Sequence, residues 1–476
     1  MKLENRTIPV SFTGQGMWLS ALSRAVAREL GEGAYPLRLS IAEVRDRNAL
    51  AEVTVLWLSD DEARRHGIDG AALLAPRRKE WQADPFAVVN VVPTGIRCEF
   101  GGYAGDACPA TNLLASAADV LITHPNAVNA SELNEMAPGV LYVEGKTLDE
   151  FLLGHLGLLP VAGNRIGTFV DPRGLGFLDE MTGALDAART AAGIDCGVYV
   201  MLRETLGVSM GWSESGCAVG TVANPEVVVE AVQTLLADGV QAIGGLSVID
   251  GVTQEMFARH MRGEIPNPSG GVEAILTHLV STLFRVPTAH APLPYYAHLK
   301  RGVGRDPRAS AEFISTPHYV SVLKGLARAP RPFPLRSISG TPPEVLTLNN
   351  VGAIVLPASC LGGIPALVAQ FSDIPLIAVT ENRTILDVTN AKMKMANVIA
   401  VASYLEAAGV VLALRNGISL ESLRRPIGAA RRLELPIPFS RLEPQTSESA
   451  AGATLEPMRD HEVERPLPAK LRSGSV

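Results

Sequence analysis

The stretch Asp119-Val120-Leu121-Ile122-Thr123-His124-Pro125-Asn126-Ala127-Val128-Asn129-Ala130-Ser131-Glu132-Leu133-Asn134-Glu135 decides the reading of this chain. It opens as a short apolar run that suits a buried strand. From Thr123 onward it packs one imidazole, three amides, two hydroxyls and two carboxylates into thirteen residues. Open α/β sheets hold their ligands at the carboxyl ends of the strands. A polar cluster directly after a buried strand therefore predicts both the sheet type and the place of a site.

The same unit recurs on either side. A strand over 86–92 leads to the loop Gly101-Gly102-Tyr103-Ala104-Gly105-Asp106 and a helix over 110–118, with Asp106 read as its cap. A strand over 140–143 ends at Glu144. A helix over 225–238 precedes a strand at Ala242-Ile243. A strand over 353–356 runs through Pro357-Ala358-Ser359-Cys360-Leu361-Gly362-Gly363-Ile364-Pro365 into a helix, then a strand over 376–379. A long helix is expected over 391–408. This alternation predicts an α/β fold of largely parallel sheets covered by helices, in Rossmann-like βαβ units.

Working outward, residues 1–85 read as a small α/β N-terminal module. It has strands over 8–12 and 53–58, and a helix over 17–30 with Leu19, Leu22, Val26 and Leu30 at helical spacing. Residues 86–326 form a first α/β region. Pro330, Pro332, Pro334, Pro342 and Pro343 then predict a loop or linker. A second βαβ region spans 345–436, and the polar segment 437–476 reads as a disordered tail.

Composition excludes several classes. The net charge is -7 and aromatics are 5% of the 476 residues, with no basic stripe, which argues against nucleic-acid binding. Five cysteines, an odd count without a Cys-x-x-Cys pair, indicate neither a disulfide framework nor a structural zinc site. The first residues lack the apolar core of a signal peptide. The apolar stretch 398–414 is too short and too polar for a membrane span. A cytoplasmic location is expected, with no membrane or nucleic-acid partner and a homo-oligomer left open.

The candidate chemistry sits at the strand ends. His124 could act as a general base or a metal ligand, with Asn126 and Asn129 orienting a polar group. Gly101, Gly102, Tyr103, Gly105 and Asp106 could hold an anion through backbone amides, or form only a tight turn. Glu144 is a strand-end carboxylate or a helix-start acid. The segment 211–225 reads as a glycine/serine loop running into a helix, with Ser213 and Thr221 as ligand contacts. His290, set between Pro287 and Pro292, is the second acid/base candidate, whereas His278 reads as a structural helix residue. Gly362 and Gly363 form a second anion loop. Cys360 within it could be a nucleophile or a small buried side chain. Glu381, with Asn382 and Thr384, follows another strand.

At these residues the chain resembles the domain-of-unknown-function family 3326, of cyanobacterial, plant and other bacterial proteins. The resemblance rests on Pro93-Thr94-Gly95-Ile96, Gly101 to Asp106, Thr123-His124-Pro125-Asn126, Tyr142-Val143-Glu144-Gly145, Gly220-Thr221 with Asn224-Pro225, Ala289-His290-Ala291-Pro292, Gly362-Gly363 and Glu381-Asn382-Arg383-Thr384. It covers about residues 86–420 and leaves 1–85 and the tail outside. It implies that these positions belong to one site and supplies no reaction.

The expectation is an enzyme acting on a small polar, anionic metabolite by hydrolysis, elimination or isomerisation. His124 and His290 would move protons with Glu144 or Glu381, and the glycine loops would bind the anion. No cofactor is expected. The first alternative is a metal-dependent enzyme with His124, His290 and one of Asp106, Glu144 or Glu381 as ligands of a divalent metal. The second is a non-catalytic protein that binds a metabolite or nucleotide.

Overall fold

The computed structural model describes residues 1–12, 18–31, 33–46, 48–68, 74–80, 84–128, 136–293, 304–314, 319–336 and 341–433. Asn129 and the expected tail over 437–476 lie outside them. Residues 1–424 form one compact unit; 425–433 carry no helix or strand.

A six-stranded sheet organises that unit. Its strands run in the spatial order Val398–Val401, Leu376–Val379, Val351–Pro357, Ala87–Asn90, Val120–Thr123, Val140–Tyr142, and every neighbouring pair is parallel. The inner strands are almost wholly apolar because both their faces are buried. Strand alternation sends Val88, Leu121, Val355 and Ile377 into one core, and Val89, Ile122, Ile354 and Leu376 into another. Ala87–Asn90 pairs directly with Val351–Pro357, so segments 86–326 and 345–436 share this sheet. Chain order runs outward in opposite directions from that central pair, which makes it a topological switch point.

A second parallel sheet has the order Thr288–Pro292, Ala242–Ser247, Ile166–Val170, Val198–Met201. Its residues Ile166, Val170, Leu246 and Ala291 share a core with the first sheet. The N-terminal strands Lys2–Ser11, Asn48–Trp57 and Ala34–Arg45 form an antiparallel sheet. This module is tightly docked. The Ile41 N–H donates to Gly362 O at 2.9 Å, and Trp18 Nε1 donates to Met393 O at 2.8 Å.

Four local expectations are corrected. The span 391–408 is no long helix: Asn390–Met393 is one turn, Val398–Val401 is the edge strand, and Tyr404–Arg415 is the helix. The run Val398-Ile399-Ala400-Val401 is β-branched and follows Lys394 and Asn397 at positive φ, which a helix cannot carry. The span 211–225 is mostly a hairpin, with Val208–Trp212 antiparallel to Ala218–Val222. Arg331–Pro334, within the expected linker, is a strand paired with Leu156–Leu159. Its prolines are tolerated because this ribbon has only two strands. Asp106 caps no helix: the helix Cys108–Ala117 starts after Ala107, and Asp106 instead accepts the Gly101 N–H.

Gly362 exists for the docking. A Cβ there would lie 2.1 Å from Ile41 O, whereas one at Gly363 would meet only Pro365 Cδ at 3.5 Å. Gly362→Val should therefore cost about 1–3 kcal/mol through overpacking, and Gly363→Ala much less. Urea denaturation of the two variants checks this; equal losses would refute it.

Candidate functional site

The two parallel sheets turn their carboxyl ends toward a cavity of about 320 Å³. Val91, Pro93 and Thr94 after Ala87–Asn90, and Cys360 and Gly363 after Val351–Pro357, bring the switch point of the first sheet to its wall. His124, Pro125 and Asn126 follow the next strand. His290 and Pro292 come from the end of the second sheet. The helix Gly270–Phe284 contributes Gly270, Glu273, Ala274, Thr277 and His278, and the N-terminal sheet adds Arg38 and Ser40. Arg38 is the only lysine or arginine on the wall among the described residues. The size and the mix of apolar wall with a few polar groups suit a small-molecule site.

His124 is buried, and its Nε2 accepts the Val92 N–H at 2.9 Å. That bond places the ring proton on Nδ1, and no described residue takes it. Burial lowers the imidazole to a pKa of about 4, against the pull of Glu144, with His278 lowering it further. At neutral pH this ring is an uncharged hydrogen-bond donor rather than a proton carrier.

Glu144 stands behind the wall as the N-cap of the helix Gly145–Leu152. It accepts from Thr147 N at 3.0 Å, from Thr277 Oγ1 at 3.1 Å and from His278 Nδ1. Burial raises its pKa, but the His278 charge and hydrogen bond outweigh this and hold it at about 2. His278, read from sequence as structural, is thus a carboxylate-backed imidazole on the cavity wall.

Asp149, one turn further along the same helix, was not singled out by sequence. It lines the cavity, and its side chain makes no hydrogen bond or ion pair with a described residue. Lys146, the nearby cation, is committed to Glu150 Oε1 at 2.9 Å, and Glu150 also holds His155 Nδ1 at 2.6 Å. Surrounding protein raises the Asp149 carboxyl to about 7; Lys146 and His278 only partly offset that. A carboxyl poised near neutrality on a cavity wall is a general acid/base in waiting.

On the opposite side, His290 Nε2 meets Ser247 Oγ at 2.9 Å, while its buried Nδ1 has no hydrogen-bond partner among the described residues and Glu273 Oε2 stands 3.7 Å away. The sequence signal for Glu273 and His278 is the stripe 270, 273, 274, 277, 278. It puts polar side chains along one face of an otherwise buried apolar helix.

The remaining sequence candidates divide clearly. Asn126 and Gly363 line the cavity, and Asn126 Nδ2 is held by Val92 O and Gly101 O, both at 3.0 Å. Cys360 also lines it, but burial pushes its thiol well up and Sγ donates to Pro357 O, the reverse of an activated nucleophile. Gly101, Gly102, Tyr103, Gly105 and Asp106 lie off the wall. A Cβ at Gly101 would strike Val92 Cγ1, one at Gly102 would strike Cys98 O, and Tyr103 Oη donates to His260 O. Glu381 is exposed and accepts from Tyr404 N. Asn382 is fully buried and ties Phe100 to Tyr404 Oη, and Thr384 meets Ser359. Ser213 and Thr221 line a different hollow. Among the described residues no three His, Cys, Asp or Glu side chains converge as a metal set.

Residues 87–424 match the model of the family described as protein of unknown function (DUF3326). This chain belongs to the DUF3326 family. It is 34% identical over 339 residues to a protein named uncharacterized lipoprotein syc1174_c, from Synechococcus sp. (strain ATCC 27144 / PCC 6301 / SAUG 1402/1). That alignment covers 70% of this chain and 92% of the relative. No solved structure matches the chain significantly. His124, Glu144, Asp149, His278 and His290 all fall inside the DUF3326 segment, whereas Arg38 and Ser40 come from the module before it. Among the described residues no helix is long and apolar enough to cross a membrane.

Proposed function

We propose that this protein is an enzyme that moves protons on a small polar metabolite held in the cavity between the two sheet edges. The observation that carries this reading is Asp149: a carboxyl enclosed by protein, on the cavity wall and without a partner among the described residues, beside the Glu144–His278 pair. Asp149 takes the role of acid/base that sequence reading gave to His124. His124 donates a fixed hydrogen bond through Nδ1–H to an oxygen where negative charge develops. His278, backed by Glu144, and His290, beside Glu273, are the further groups able to exchange a proton. Hydrolysis, elimination and isomerisation all use such a set. All five cysteines are free thiols, which fits a reducing cytoplasm.

The test is incubation of the purified protein with pooled polar metabolites in D2O, followed by mass spectrometry. At least one compound should be consumed or gain deuterium with the wild-type protein and not with Asp149→Asn. A compound retained tightly by both proteins without any change of mass would make the chain a binding protein instead.

A further inference from the structure

We propose that the hollow between the N-terminal sheet and the hairpin 208–222 is a second binding site, for a small zwitterion of the amino-acid type. It borders the first cavity at Arg38, which lines both, and it does not depend on the proton-transfer reading. The sheet register builds one wall. Arg38 lies opposite Thr54 and Ser40 opposite Glu52, while Thr54 and Glu52 lie opposite Asn5 and Thr7 on the other flank. Residues facing each other across strands share a side, so all six form one polar face. The other face, with Ile8, Val10, Leu39, Ile41, Val53 and Val55, is core.

The polar face of an antiparallel sheet ordinarily meets water. Here the hairpin roofs it, tied by Asn5 Nδ2 to Gly220 O at 2.8 Å, Arg38 Nη1 to Ala218 O at 3.2 Å and Ser215 N to Glu52 Oε1 at 3.0 Å. The roof does not fill the space: a cavity of about 390 Å³ remains, lined by Arg38, Glu52, Thr54, Ser209, Trp212 and Thr221 among others. Two charged side chains of its wall have no ion-pair partner among the described residues. Glu52 is only 8% exposed, and its Oε2 has no hydrogen-bond partner among the described residues. Arg38 has no carboxylate within ion-pair distance among the described residues. Diagonal neighbours across a register stand roughly 7–8 Å apart, within reach of long side chains, yet among the described residues Arg38 turns to Ala218 O and Glu52 Oε1 to Ser215 N rather than to each other.

Leaving a buried carboxylate oxygen unpaired is costly. A ligand with an ammonium and a carboxylate on the same carbon answers both groups: its ammonium donates to Glu52 Oε2 and its carboxylate accepts from Arg38. Met210, Val219 and Trp212 then face its side chain.

Thermal-shift and calorimetric titration of the full chain with the twenty amino acids tests this. For each one that binds, the matching amine without the carboxylate and the matching acid without the amine are compared. At least one amino acid should bind, and removing either charge should weaken it at least about tenfold. Glu52→Gln, which keeps an acceptor for Ser215 N, should weaken it similarly, and Asp149→Asn should not. Failure of every amino acid to bind would overturn the proposal. So would binding that survives loss of either charge, or binding lost in Asp149→Asn, which would place the ligand in the first cavity. The ligand-side comparison stands even if Glu52→Gln folds poorly.

Discussion

Asp149→Asn is expected to reduce turnover by about 100-fold or more while leaving the fold intact and making the protein more stable above pH 7. The two effects have one origin. The folded carboxyl is raised to about 7 from an ordinary value of 3.8 because protein surrounds it and Lys146 is held by Glu150. A group raised in the folded state contributes its stability fully below its unfolded pKa and loses it as pH rises through the folded value. Asparagine imitates the neutral acid without that loss. Wild type should therefore fall in melting temperature between pH 6 and pH 8 by more than the variant does. The wild-type rate should follow one ionisation near pH 7, and that ionisation should vanish in Asp149→Asn. A variant that retains turnover would remove Asp149 from the chemistry. A variant whose stability tracks that of wild type across this range would show that the carboxyl is not held neutral. Stability lost for function is the usual trade at a working site.

Glu144→Ala is expected to be the most damaging single change to stability, by about 3–5 kcal/mol. The deletion strands His278 Nδ1 and the Thr147 N–H that caps the helix, and leaves the Thr277 hydroxyl with Ala274 O alone. Glu144→Gln keeps an acceptor for Thr147 and removes only the charge, so it should cost clearly less. The pH dependence runs opposite to that of Asp149. Glu144 is lowered to about 2 from 4.5, so its contribution is present above pH 4.5 and disappears as pH falls through 2. Urea titrations at pH 7 and pH 3 should show the gap between wild type and Glu144→Gln narrowing in acid. Equal losses for alanine and glutamine, or a gap that does not narrow, would mean that the Glu144–His278 pair is not ionic.

Much of the fold is legible from local pattern. The runs at 87–89, 120–122, 351–357 and 376–379 are continuously apolar, and a strand buried on both faces requires that. The polar segments after them mark the edge where the cavity lies. His124, Asn126, His290, Cys360 and Gly363 were found there for that reason. The failures are equally local in cause. The span 391–408 is apolar and alanine-containing enough to pass for a helix, and only pairing with Leu376–Val379 claims its β-branched core as a strand. The glycines at 101 and 102 look like a cradle for an anion, yet they serve close packing against Val92 and Cys98. His278 looked structural because its partner Glu144 is 134 residues away in the chain.

The sequence by itself determined the parallel α/β character, the strand edges that carry polar residues and the membership of the DUF3326 family. Periodicity and composition act over a few residues and survive in any context. Only the tertiary structure decided which carboxylate pairs with His278 and which is left bare to the cavity. Glu144, Asp149 and Glu150 lie within seven residues and differ little as sequence. Their charges part ways because His278 arrives from another helix, Lys146 turns to Glu150, and burial without a partner is a property of packing rather than of residue type.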